Sequence, residues 1–209
     1  MAFIKTKKIY EPRVFRTFLE AQEVFENFKE NEPSRVEALN YILNHQEMTY
    51  ILEMLLKNYS DVSNEDHSLI DHAFANFNTK PTREDDYNII FKLLKSQNAY
   101  LRNKTITFLQ EYGKSAKDFI QRLLNDEDRD IRIFAVNILG DVNYEDSRDM
   151  LIDLIKGEND LNVLMTSIDY LGEIGKLEDV EILENIKDKF STEPYVSFGI
   201  NLAIDKIKG

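Results

Sequence analysis

The stretch Asp126-Glu-Asp-Arg-Asp-Ile-Arg-Ile-Phe-Ala-Val-Asn-Ile-Leu-Gly140 decides the fold. Ile131, Ala135, Val136, Ile138 and Leu139 recur at the three- and four-residue spacing of one helix face. The acids before them stand where a helix N-terminus favours negative charge. Gly140 follows the last apolar residue, where many helices stop on a left-handed residue. The spacing therefore predicts a helix that ends at Gly140.

The same phrase returns along the chain. Asn98–Leu109 precedes it and Asp160–Gly172 follows it, with weaker copies at Ser34–Leu43, Leu69–Phe77 and Tyr195–Ile204. A small or short residue sits at the centre of each: Ala38, Ala73, Thr105, Ala135, Ser167 and Gly199, at steps of 35, 32, 30, 32 and 32 residues. The last centre is ambiguous by one residue, because Glu193–Val196 aligns with Asp128–Ile131 only if the centre shifts.

A second pattern lies between the copies. Ile51-Leu52/Leu55-Leu56, Ile89-Ile90/Leu93-Leu94, Phe119-Ile120/Leu123-Leu124, Met150-Leu151/Leu154-Ile155 and Ile182-Leu183/Ile186 are each one face of an amphipathic helix. Their steps are 38, 30, 31 and 32 residues. Two interleaved helical patterns with one period mean a repeated helix pair, here called A (small centre) and B. Neither helix can bury its apolar face alone, so stacking must supply the core. The expected fold is all-α, an α-α superhelix of about six helical pairs. Ser34 and Ser115 read as helix starts, and Thr82 with Asp85 as a capping box. Val14, Phe15, Phe18, Leu19, Val24, Phe25 and Phe28 predict one long helix over residues 11–30, preceded by a tail or short strand. The expected organisation is a tail and capping helix over 1–32 and one continuous array over 33–209.

Residues 126–140 resemble the HEAT repeat, most closely the short bacterial form first known from phycobilisome lyases. That signature reads Asp-x-Asp-Pro-x-Val-Arg, then Ala, then Leu-Gly. Asp126, Asp128, Ile131, Arg132, Ala135, Leu139 and Gly140 follow it, while Arg129 stands where the family prefers Pro. Arg102 matches the signature Arg; Leu164 does not. The resemblance implies a HEAT-like solenoid and a partial ladder of Asp–Arg pairs between repeats. It does not carry a lyase activity with it.

Composition narrows the function. With no Cys among 209 residues, disulfides, thiolate metal sites and Cys nucleophiles are impossible. No apolar run approaches membrane-spanning length. The basic start MAFIKTKKIY lacks a signal-peptide core, so the expected compartment is the cytoplasm. Net charge is −12, distributed as −5 over residues 1–79, +4 over 80–124 and −11 over 125–209. Such a field repels a phosphate backbone and attracts basic surfaces. The central cations Lys92, Lys95, Arg102, Lys104, Lys114, Lys117 and Arg122 form the one candidate nucleic-acid footprint, and a solvated helix surface explains them more simply.

No catalytic constellation stands out. His67 and His72 are five apart and do not share a helix face; with Glu65, Asp66 and Asp71 they could at most make a surface metal site. Asp126, Asp128 and Asp130 alternate like a calcium loop but lack its Gly and Glu. No cofactor is expected. The expected function is a non-enzymatic scaffold that binds a protein or peptide, with a basic partner surface expected at the C-terminal repeats. Its candidate contacts are the exposed B-helix positions Glu53, Lys57, Phe91, Lys95, Gln121, Arg122, Asp153 and Glu184. Phe91 stands out because its counterparts are mostly polar. An enzyme or enzyme subunit of the bilin lyase or isomerase type is the alternative, and a nucleic-acid-binding HEAT-like protein the next.

Overall fold

The computed structural model describes residues 12–61, 67–112, 115–141 and 146–209. Those residues form α1 (Phe18–Glu26), α2 (Glu32–His45), α3 (Met48–Tyr59), α4 (His67–Ala75), α5 (Glu84–Leu94) and α6 (Ala99–Tyr112). The second half adds α7 (Lys117–Leu124), α8 (Arg129–Asp141), α9 (Ser147–Gly157), α10 (Leu161–Ile174), α11 (Val180–Lys189) and α12 (Pro194–Lys208). A 3₁₀ turn, Leu177–Asp179, leads into α11. There is no strand among the described residues, and none of their helices is long and apolar enough to cross a membrane.

The helices alternate between two rows. The A row runs α2, α4, α6, α8, α10, α12, each packed on the next. The small centres Ala38, Ala73, Thr105, Ala135 and Ser167 are fully buried in it. The two hydroxyls among them cost little, because Thr105 Oγ1 donates to the Leu101 carbonyl and Ser167 Oγ to the Val163 carbonyl, both at 2.8 Å. The even spacing fails once. In α12 the buried residues are Val196, Ile200, Ala203 and Ile204, and Gly199 is only half-buried. Ile200 therefore takes the central place, through the one-residue shift that Glu193–Val196 suggested. The B row is α3, α5, α7, α9 and α11. Its apolar pairs face inward, with Leu56, Leu154 and Ile182 only partly covered.

Two ladders of polar side chains tie successive repeats. The signature Arg132 reaches from α8 to Glu158 beyond α9, with Nε donating to Oε2 at 2.7 Å and Nη2 to Oε1 at 3.1 Å. Its Nη1 also donates to the Asp126 carbonyl at 2.9 Å. Arg102 in the same register donates to the Ser96 carbonyl and lies over the Phe134 ring. Arg35 proves to be a third member, three residues before Ala38 as Arg132 is before Ala135. It is 3% exposed. Its Nε donates to the Phe25 carbonyl at 3.0 Å and Nη2 to the Tyr59 hydroxyl at 2.9 Å. The second ladder joins the starts of B helices: Arg83 to Glu47, Lys117 to Asp146, and Arg148 to Glu178 and Asp179.

Several local expectations need correction. Gly140 does not end a helix on a left-handed residue: it lies inside α8, and among the described residues only Gly209 has positive φ. Its role is close approach. A Cβ there would run into the ring of Tyr170 on α10, and one at Gly172 would stand 3.1 Å from the Ala203 backbone on α12. The long first helix shrinks to α1, nine residues started by a Thr17–Glu20 capping box, with Val14 outside it and exposed. The acid that caps α5 is Asp86, which accepts from the backbone N–H groups of Thr82 and Arg83 at 3.3 and 3.1 Å; Asp85 does not. Asn31 caps α2 by accepting from the Ser34 backbone, and Ser115 precedes α7 without capping it. The expected N-terminal tail, Glu65, Asp66 and Lys114 lie outside the described residues.

Candidate functional site

The eight B-row positions named from the sequence are spread along the molecule. Seven are exposed and Phe91 is half-buried, packed against the core. Lys95 Nζ lies 4.5 Å over the Phe91 ring, so this aromatic already has a cation on it. Lys57 pairs with Glu26 at 3.0 Å, Arg122 with Glu84 at 2.7 Å and Glu184 with Lys187 at 3.4 Å. Glu53, Gln121 and Asp153 stay on the solvent side. Lys95 lines a shallow groove with Arg102, Asp128 and Phe134.

The histidines are engaged locally. The His67 ring stacks on Tyr100 at 3.7 Å, and His72 Nε2 stands 2.6 Å from Asn40 Oδ1. Asp126 and Asp128 turn their carboxylates back onto the backbone N–H groups of Asp128 and Asp130, as N-terminal loop acids do. Among the described residues no cluster of His and acidic side chains is arranged to hold a metal.

A larger concavity lies on the A row. A groove of about 510 Å³ opens along α8, α10 and α12, lined by Asn137, Asn162, Met165, Asp169, Tyr170, Tyr195, Phe198 and Leu202 among others. Glycines shape it. Gly140 lets the Tyr170 ring approach α8, and Gly199 sits under the end of Met165. One end is tied by Lys206, whose Nζ lies 3.1 Å from Asp169 Oδ1 and 2.7 Å from Glu173 Oε1, linking α12 to α10. Those two hydrogen bonds raise the Lys206 pKa.

The wall contributed by α12 is unusual because that helix has two apolar faces. Val196, Ile200, Ala203 and Ile204 point into the core. Tyr195, Phe198 and Leu202 recur at steps of three and four on the other side, and they are 67%, 61% and 47% exposed. At about 100° per residue the flank turned away from α10 carries Ser197, Asn201 and Lys208. The exposed apolar triad is thus neither the contact with α10 nor the flank on which another helix pair would stack. Nothing in the described chain covers it.

The chemistry available is that of recognition. The groove offers Asn amides, the Thr166 hydroxyl, aromatic faces and a carboxylate already held by Lys206. The sequence did carry a signal for it: a second i, i+3, i+7 apolar set within Pro194–Lys208. Treating Tyr195–Ile204 as one weak repeat copy hides that second face.

Residues 116–192, from the start of α7 to the loop before α12, match the family model for HEAT repeats. No curated protein matches the chain. A crystal structure of an engineered protein from the Northeast Structural Genomics Consortium is similar over 90% of this chain and 96% of that one, at 16% identity and a TM-score of 0.38, a likeness too loose to argue from. The two alternating helix rows are consistent with a HEAT-like solenoid, and the stretch from α7 to α11, which includes the signature residues Asp126 to Gly140, carries HEAT repeats.

Proposed function

We propose that the chain is a non-enzymatic interaction module that holds a protein or peptide in the groove formed by α8, α10 and α12. The observation that carries this reading is the bare second face of α12. Three large apolar side chains stand in water beside a groove although the opposite face of the same helix satisfies the core. Soluble proteins seldom leave such a patch unless something binds it, and Tyr and Phe at the centre of a patch are typical binding anchors. The groove's polar groups suit orientation of a ligand rather than proton transfer, which favours binding over the lyase-type alternative. The B-row positions Asp153 and Glu184 provide the rival surface.

The test is site-specific photo-crosslinking in the native cell. A photoreactive phenylalanine at position 198 should trap a protein, and excess unlabelled wild type should compete it away. A Phe198→Ser/Leu202→Ser double variant should not compete, although its helix content and melting should match wild type. Trapping from position 153 and not from position 198 would move the binding wall to the B row.

A further inference from the structure

The partner's chemistry can be narrowed, on the footing that the groove is the docking surface. We infer that its occupant is a basic amphipathic helix. The floor and one wall are apolar: Met165, Tyr170, Tyr195, Phe198 and Leu202. The surroundings are acidic. Asp160 stands at the start of α10 and Glu193 at the start of α12. Asp205 lies within about 20° of Phe198 around the helix, just past Leu202. Asp169 and Glu173 close the side toward α10.

The nearby cations offset this rim only in part, since Asp160, Asp169, Glu173, Glu193 and Asp205 outnumber Arg129, Lys206 and Lys208. Lys206 is held by Asp169 and Glu173, and Arg129 faces Asp130 and Asp160 at 3.4 and 3.8 Å. Lys208 remains, at the far end of α12. An apolar strip with an acidic edge selects a ligand with an apolar strip and basic flanks, because the rim charges steer it and reject acidic competitors.

The form of the ligand follows from hydrogen bonding. An extended peptide needs partners for its backbone N–H and C=O groups. The described residues offer no sheet edge, and the amides that line this groove are those of Asn137 and Asn162. A helix satisfies its own backbone and needs only a side-chain stripe. The steps of three and four residues between Tyr195, Phe198 and Leu202 match the ridge of such a helix. A second copy of the chain is disfavoured, since a symmetric contact would set one acidic rim against another. Anionic lipid and nucleic acid meet the same obstacle.

The experiment uses three synthetic 18-residue probes, an arbitrary length of about five helical turns. One is a Leu/Lys peptide with helical amphipathic spacing, the second has Glu in place of Lys, and the third is the Leu/Lys composition scrambled. Each is titrated by fluorescence anisotropy against wild type, Phe198→Ser/Leu202→Ser and Asp153→Lys/Glu184→Lys. Serine is chosen because an added acid would itself attract the basic probe.

The basic amphipathic probe should bind wild type and lose about tenfold or more on Phe198→Ser/Leu202→Ser, the loss expected of a binding anchor. It should change little on the B-row variant and weaken as salt rises. Equal binding of the acidic probe overturns the charge argument and leaves groove docking intact. Equal binding of the scrambled probe overturns the helical form. Binding of the basic probe that ignores Phe198→Ser/Leu202→Ser but falls with the B-row variant overturns the inference as general acid attraction, and the crosslink from position 198 then decides the docking site separately. A dimer in sedimentation that depends on Phe198, with no probe bound, gives the face to a second copy and overturns the inference.

Discussion

The two halves of this stack solve the same packing problem with different side chains. Every aromatic ring pair found among the described residues lies between Phe15 and Phe119. Phe74, Phe77, Phe108 and Tyr112 form one continuous cluster, and Phe25 and Phe28 close on Tyr59. Beyond residue 119 the A row changes method. Gly140 and Gly172 let whole A helices approach, while Arg132–Glu158 and Arg148–Asp179 continue the ladders that Arg35 and Arg83 begin in the first half. Large rings tolerate imperfect register, because they fill whatever space remains. A glycine contact works only when the partner lies in one place. The glycine half is therefore where the repeat signature reads most clearly, and also where the apolar patch and most of the net negative charge lie.

The largest expected effect tests the aromatic half. Phe108 is buried and touches Phe74, Phe77 and Tyr112. Phe108→Ala should cost about 4 kcal/mol, as deleting a core ring usually does. Urea denaturation followed by circular dichroism measures it. A loss below about 1 kcal/mol, the ordinary cost of an arbitrary substitution, would mean that the ring cluster does not hold this half together.

The ladder of the other half comes next. Arg132→Met keeps most of the stem and leaves the buried Glu158 carboxylate without its cation. The backbone N–H groups of Asn159 and Asp160 still donate to it. The cost should therefore be about 3 kcal/mol at neutral pH, the low end for breaking one side of a buried pair. Burial pushes the Glu158 carboxyl up, but Arg132 and those two N–H groups outweigh burial and hold it below its ordinary value. A carboxyl depressed in the folded state adds stability above its unfolded pKa, near about 4.3 for Glu. That stability is lost as pH falls through the folded value. The gap between wild type and Arg132→Met should therefore narrow below about pH 4.3. A gap that ignores pH would assign the loss to packing of the arginine stem.

Much of this architecture is legible before folding, for a definite reason. The period is written in apolar spacing, and spacing is what stacking uses: Ala135, Ser167 and the pairs from Ile89 to Leu124 are buried as their register requires. What spacing does not show is why a small residue is small. Gly140 sits at the end of an apolar run and looks like a stop; only the Tyr170 ring on the next A helix reveals a contact. Arg35 escapes for the converse reason. An arginine is expected at the surface, and its partners, the Phe25 carbonyl and the Tyr59 hydroxyl, are 10 and 24 residues away. The binding surface is harder still. The B-row candidates rest on a helical pair pattern, which locates solvent-facing positions without locating a concavity. The A-row groove needs three helices side by side and a helix, α12, that serves two apolar faces at once.

The smallest effect separates the reasons for glycine within one half. Gly157 ends α9 with no positive φ, and a methyl group added there would have nothing within 4 Å. Alanine there reduces the freedom of the unfolded chain and meets no neighbour. Gly157→Ala should therefore stabilise by about 0.5 kcal/mol. Gly140 gains the same backbone term, but its new Cβ must displace the Tyr170 ring from the A-row contact. Overpacking of that kind outweighs the gain, so Gly140→Ala should destabilise by about 1 kcal/mol. The opposite signs, read from paired urea melts, are the sharper result, since shared errors cancel. If both variants stabilise, Tyr170 swings aside freely. Gly140 would then be an accident of the sequence rather than the reason α10 can lie so close to α8. If both destabilise, the helical backbone itself resists alanine at these sites, and close approach would no longer distinguish this half from the aromatic one.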